Sequence, residues 1–175
     1  MKPIALLMIE HRLIEKAAGL IAKRALDVDK TSAIDLMFVE KTVDFFRSYA
    51  DRTHHGKEED ILFVEMRKKQ LPPDLKRIME ELIAEHIVAR KTVGAYLEAG
   101  RRVASGDKSA ARELVTQMKT LSSLYPPHIE KEDRHFFFPV MELFTQAEQD
   151  KMLKDFLEFD QKVIHEKYQK MVKEL

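Results

Sequence analysis

His54 and Glu58 stand four residues apart, and so do His128 and Glu132. On an α-helix that spacing puts two side chains about 40° apart around the axis and about 6 Å apart along it, so both can aim at one spot. An imidazole nitrogen beside a carboxylate oxygen suits iron, manganese or zinc, whereas calcium and magnesium favour oxygen alone. One His-x-x-x-Glu says little, since such pairs are common on exposed helix faces. Here the pair occurs twice, and each copy follows a second motif, Glu10-His11 in the first half and Glu85-His86 in the second. The Glu-His pairs are 75 positions apart and the His-x-x-x-Glu pairs 74. Four histidines and two glutamates placed with two-fold pseudosymmetry can hold two ions, with Glu58 and Glu132 free to bridge them.

Rival assignments surround this set. His55 and Glu59 repeat the spacing one residue along, about 100° away around an α-helix. Ile129 at the matching place of the second half leaves no such pair there, so the register of His54 and Glu58 is preferred. His55 and Glu59 are then expected beside the site or at the surface. His128 could pair with Asp133 instead of Glu132. The repeat favours Glu132 and gives Asp133 the task of fixing an imidazole tautomer. His135 continues the stripe one turn beyond Glu132 and is expected to pack at the bundle end, the alternative being a fifth imidazole or a proton donor. His165 lies among Lys and Glu and is expected at the surface. Glu10 and Glu85 are read as surface ion-pair partners rather than acceptors for the imidazoles. Phe136-Phe137-Phe138 is expected in the core, where it could wall the metals from water.

Such a site needs long helices to carry it, and the apolar periodicity supplies them. Ile4, Leu7, His11, Ile14, Ala18 and Ile21 form one stripe, and Leu75, Met79, Leu82, His86, Ala89, Val93, Tyr96, Gly100 and Val103 form another. A third runs Ala111, Leu114, Met118, Leu121, Tyr125, His128, Glu132 and His135. Between the first two, from about Ser32 to Arg67, lie Leu36, Val39, Val43, Phe46, Ala50, His54, Glu58 and Ile61 on one side. A capping box, Thr145 with Glu148, opens a last helix whose face is Met152, Phe156, Phe159 and Val163. Breaks are expected at Asp27–Lys30, Leu71-Pro72-Pro73-Asp74, Ser105-Gly106-Asp107 and near Phe144, and a kink or restart at Pro126-Pro127. Short connections between long amphipathic helices give an all-α, antiparallel up-down four-helix bundle with an additional C-terminal helix. The domain expected is single, residues 1–175, with two repeats of about 1–70 and 72–143 and a C-terminal helix over 145–175.

Composition narrows the function classes. Lys plus Arg (30) equals Asp plus Glu (30), which gives no electrostatic reason for a nucleic-acid or anionic-membrane partner. Cysteine is absent, which excludes disulfides, thiolate zinc sites and cysteine-ligated iron–sulfur clusters. The apolar stretch at the N-terminus is broken by Glu10, His11 and Arg12, too early for a signal peptide, and no apolar run reaches membrane-spanning length. A cytoplasmic location is expected. No nucleophile–base pair or phosphate loop is evident.

The paired motifs, read as His54-His55-Gly56-Lys57-Glu58-Glu59-Asp60-Ile61-Leu62-Phe63 and His128-Ile129-Glu130-Lys131-Glu132-Asp133, resemble the hemerythrin-like (HHE cation-binding) superfamily over nearly the whole chain. The four-histidine, two-glutamate set is most similar to bacterial di-iron proteins linked to repair of damaged iron centres. That resemblance implies His11, His54, Glu58, His86, His128 and Glu132 as ligands of two non-haem iron ions, manganese or zinc being the other metals the donors admit. Glu58 and Glu132 would bridge. The oxygen-carrying hemerythrins have a second histidine four residues on along the third helix, where this chain has Arg90. The function implied is a di-iron protein meeting oxygen, nitric oxide or peroxide, in iron-centre repair or the response to oxidative or nitrosative stress. The alternatives are an iron or oxygen sensor or storage module without turnover, and a structural bundle with vestigial ligands.

Overall fold

The computed structural model describes residues 2–31 and 35–173, apart from the side chains of residues 168, 170, 171 and 173. It contains five long helices and, among the described residues, no strand. They are α1 (Pro3–Thr31), α2 (residues 36–66), α3 (Pro73–Ala104), α4 (residues 110–141) and α5 (Gln146–Lys173). The first four form a ring in which α1 packs on α4, α4 on α3, α3 on α2 and α2 on α1, and α5 lies against α1 and α2. This is the expected all-α bundle with an appended C-terminal helix. Among the described residues no helix is long and apolar enough to cross a membrane.

Local chemistry sets the helix ends. Asp35 caps α2 by accepting the Phe38 N–H at 3.2 Å. Pro73 opens α3, where its missing N–H costs nothing. Gly106, at φ 99°, ends the α3 turn in the left-handed region that glycine tolerates. The Thr145–Glu148 box forms as expected, with the Thr145 N–H donating to Glu148 at 2.8 Å and the Glu148 N–H donating to Thr145 Oγ1 at 3.3 Å. Two expected interruptions are not found at their expected places. The α1 helix runs through Asp27–Lys30 to Thr31 because Val28, 4% exposed, extends the buried stripe by another turn. The α4 helix runs unbroken through Pro126-Pro127. Both prolines and Ser123 face solvent and Ser122 is half-buried, so the carbonyls that lose their donors can bond water instead.

Two apolar clusters fill the bundle. One is built from Ile14, Ile21, Val43, Phe46, Tyr96, Leu114 and their neighbours, the other from Ile4, Leu7, Leu62, Phe63, Leu82, Phe136, Phe137 and Phe156. Between them lies a layer of buried polar side chains, Glu10, His11, His54, His55, Lys57, Glu58, His86, His128 and Glu132. Such a layer is expensive unless every member is paired.

The ring of helices is drawn in at Gly100, where an added Cβ would sit 2.8 Å from Val39 Cγ1 and 3.3 Å from its Cγ2. A β-branched, buried valine has little freedom to move aside. Gly19, also helical, has nothing within 4 Å of the same position. Gly100→Ala is therefore expected to lose about 1–3 kcal/mol of stability, and Gly19→Ala to gain about 0.5–1 kcal/mol from helix propensity. Urea denaturation of the two variants checks the contrast, and equal shifts in the same direction would contradict it.

Candidate metal centre

All six residues singled out by the repeat converge in the polar layer. His11, Glu58, His86 and Glu132 are 0% exposed, His54 is 1% and His128 is 3%. Glu58 lies between the halves, with Oε1 3.6 Å from His54 Nε2 and Oε2 3.5 Å from His86 Nε2. Glu132 does the same with one oxygen, 3.2 Å from His11 Nε2 and 3.3 Å from His128 Nε2. Two groups result, each with ligand atoms within 4.8 Å of one another: His11, His54, Glu58 and Glu132, and His55, His86 and His128. Each carboxylate thus faces one imidazole of either group, the arrangement a bridging ligand needs.

A shell of carboxylates turns the imidazoles inward. His11 Nδ1 donates to Asp133 Oδ1 at 2.7 Å and His86 Nδ1 to Glu59 Oε1 at 2.7 Å. His54 Nδ1 donates to Glu10 Oε2 at 2.9 Å and His128 Nδ1 to Glu85 Oε2 at 2.7 Å. The four bonds are two pairs related by the repeat. They leave each Nε2 toward the centre, which is how bundle proteins fix the tautomer of a metal-binding histidine. The shell is itself anchored, Asp133 by Arg12, Glu59 by Arg90, Glu10 by Lys57 and Glu85 by Lys131. Aromatic rings close the layer on one side, with Phe137 stacked on His11 at 5.7 Å and Phe63 on His86 at 6.4 Å.

Four sequence expectations are corrected. Of the two places expected for His55 the surface is excluded: it is 1% exposed, stacks on His86 with ring centroids 3.8 Å apart, and brings a fifth imidazole into the layer. Over Phe46–His55 and again over Glu58–Leu62 the helix is wound in wide turns closed by i→i+5 bonds. Successive side chains there advance by less than the 100° of an α-helix, so two adjacent histidines can both face in. Glu10 and Glu85 are ion-paired, with Lys57 and Lys131, but they also accept from His54 and His128, and Glu10 does so in the interior rather than at the surface. His135 is exposed, because the wide turn Glu132–Phe136 carries Phe136 and Phe137 to the inside in its place. Of the three phenylalanines only Phe138 faces solvent, at 51% exposure. Asp133 holds an imidazole as expected, Glu59 lies beside the site and holds His86, and His165 is exposed.

The electrostatics show what the layer lacks. Seven of the eight buried side-chain nitrogen and oxygen atoms without a hydrogen-bond partner among the described residues belong to it: both oxygens of Glu58 and of Glu132, and Nε2 of His55, His86 and His128. Burial, and then the charge of Glu132, hold the Glu58 carboxyl well above the usual carboxylate range. Burial opposes ionisation of Glu132 too, but His128, His11 and His54 outweigh it and hold its acid constant below that range. Burial likewise opposes a charged His11, yet Asp133 and Glu132 raise it to about 9, while burial lowers His54 to about 4. His11 Nε2 and His54 Nε2 are only 2.9 Å apart, a separation that needs a proton between them. Orphaned oxygens and inward nitrogens fit metal cations of the kind that take mixed N and O donors.

Buried histidines and shared carboxylates at the centre of a four-helix ring define a class of metal-binding bundle. The sequence profile of the Hemerythrin HHE cation binding domain matches residues 2–137, and the chain belongs to that family. A search of curated proteins finds no match to the chain.

In the metal-free protein two histidines shape stability against pH in opposite directions. His11 binds its proton more tightly folded, at about 9, than at the ordinary 6.5, so its contribution is complete below 6.5 and lost as pH rises through 9. His54 binds its proton more weakly folded, at about 4, so its contribution is present above 6.5 and lost as pH falls toward 4. Denaturation midpoints of the metal-free protein are expected to peak near neutrality and fall on both sides. A midpoint that climbs from pH 7 to pH 9 would contradict the account of His11.

Proposed function

We propose that this chain holds two non-haem iron ions between its helices and that the pair meets a small ligand: dioxygen, nitric oxide or peroxide. The observation that carries the reading is the pair of buried carboxylates without a hydrogen-bond partner among the described residues, each facing one imidazole of either half. The ligands proposed are His11, His54, Glu58, His86, His128 and Glu132, joined by His55. Five imidazoles with two shared carboxylates suit iron, and manganese or zinc could be held by the same atoms. Iron in such a site supplies one-electron chemistry and coordination positions open to diatomic ligands.

The surroundings favour a small ligand. A cavity of about 340 Å³ lies against His55 between α2 and α3, walled by Phe46, Ala89, Val93 and Tyr125. Arg90 stands at this cavity, 2.7 Å from Asp51 and 2.6 Å from Glu59. It occupies the place where oxygen carriers have their second third-helix histidine, and His55, stacked on His86 from the neighbouring helix α2, would supply an imidazole at that end of the layer instead. Phe63, Phe136 and Phe137, all 0% exposed, keep the other side dry. A cytoplasmic role in oxidative or nitrosative stress, or in repair of iron centres, accords with the ligand-set resemblance and with the absence of cysteine.

Metal analysis after anaerobic reconstitution with ferrous iron tests the reading. About two irons per chain are expected, with new visible absorption when oxygen or nitric oxide is admitted. Glu58→Ala is expected to lose iron, and His55→Ile, which copies the residue of the matching place, to keep the fold and weaken one ion by roughly 10- to 100-fold. A Glu58→Ala protein that retains two irons would contradict the bridging role, and a wild-type protein without iron or spectral change would contradict the function.

A further inference from the structure

The two halves treat their inner lysine differently. In the second half Lys131 donates to Glu85 at 2.6 Å and to Glu81 at 3.1 Å, and Glu85 in turn orients His128. Both carboxylates come from α3, one turn apart. In the first half Lys57 donates to Glu10, which orients His54. The residue of α1 that matches Glu81 is Leu6, which has nothing to offer a lysine. The second acceptor comes instead from α5, where Asp160 Oδ1 lies 2.7 Å from Lys57 Nζ. Lys57 is fully buried, whereas the Lys131 side chain is 25% exposed, so the first half depends more on its borrowed carboxylate.

The fit of α5 at this point is close. A Cβ on Gly56, the residue between His55 and Lys57, would lie 2.8 Å from the tip of the Phe159 ring. The neighbour of Phe159 is Asp160. Glycine at 56 therefore lets α5 settle onto the turn that carries both His54 and Glu58. The family match ends at residue 137, before α5 begins, so α5 and this contact lie outside the matched segment.

We propose that Asp160 is a positioning residue for the metal centre: through Lys57 and Glu10 it holds the His54 ring, so that docking of α5 and occupancy of the His11/His54 metal position stabilise each other. The proposal rests on the reading that this layer holds metal. Coupling of this kind is reciprocal, so iron is expected to tighten α5 as much as α5 tightens iron.

The test is release of iron from the reconstituted protein to a chromogenic ferrous chelator, with hydrogen exchange of residues 146–173 in the iron-loaded and metal-free forms. Asp160→Ala is expected to release iron roughly three- to tenfold faster, less than a direct partner of a ligand would give. Asp160→Asn, which keeps an acceptor oxygen, is expected to recover most of the loss. Glu166→Ala, which removes the Arg52–Glu166 ion pair elsewhere on α5, is expected to release iron at the wild-type rate. Exchange in α5 is expected to slow on iron loading in the wild type and to lose that response in Asp160→Ala. Wild-type release rates in Asp160→Ala, equal acceleration in Glu166→Ala, or α5 exchange indifferent to iron would each overturn the proposal. A wild-type protein that binds no iron would remove the metal reading beneath it, and that result is seen before any variant is compared.

Discussion

Two carboxylates, Glu58 and Glu132, are buried at the centre of this bundle with no hydrogen-bond partner among the described residues for any of their four oxygens. An arrangement of that kind is costly in a metal-free chain: burial and the neighbouring Glu132 push the Glu58 carboxyl up, while the surrounding imidazoles overcome burial and hold Glu132 down. Most of the polar structure follows from this constraint. The imidazoles that face the carboxylates must present a nitrogen inward, so each needs an acceptor behind it. Each acceptor is a further buried or half-buried carboxylate and needs a cation of its own. The result is a set of nested shells, with carboxylates inside, imidazoles around them, carboxylates again, and Arg12, Lys57, Arg90 and Lys131 outermost. Alternating charge over four layers lets a neutral chain place so many ionisable groups in its interior.

The apolar parts answer to the same constraint. The two hydrophobic clusters lie on either side of the polar layer, so the layer is held between two packed regions. Phe63 and Phe137, equivalent in the repeat, stack on His86 and His11 and separate the layer from one cluster. The wide turns at Glu58–Leu62 and Glu132–Phe136 are equivalent as well. Both begin at one of the two central glutamates, which points to the site itself as the reason the helices depart from regular winding. The asymmetry is concentrated in α2, whose additional wide stretch brings in His55, and in α5, whose Asp160 completes the environment of Lys57.

Much of this could be read in the sequence because the repeat is visible there. Residue pairs at matching offsets identified the six central side chains, and apolar stripes placed them on four helices with a fifth appended. What escaped was whatever depended on departures from α-helical winding. An angle of 100° per residue allowed His55 a place at the surface and packed His135 at the bundle end, and both placements failed at wide turns that no local composition announces. A signal for His55 was nonetheless present: the matching residue is Ile129, and an isoleucine directly after a site histidine marks an inward position. Glu10 and Glu85 were misplaced for a different reason. On a stripe diagram a glutamate beside the apolar face looks like a surface residue, and only the neighbouring helix shows that an imidazole awaits it.

X-ray absorption at the iron edge of the reconstituted protein tests the central claim most directly, because a carboxylate-bridged pair fixes the distance between its ions. An iron–iron scattering feature at about 3.5–4 Å, alongside the multiple scattering of several imidazoles, is the result this account gives. Imidazole and oxygen scattering with no iron–iron feature would mean isolated ions, and the two buried carboxylates would then not act as the shared bridge on which the structure is argued to depend.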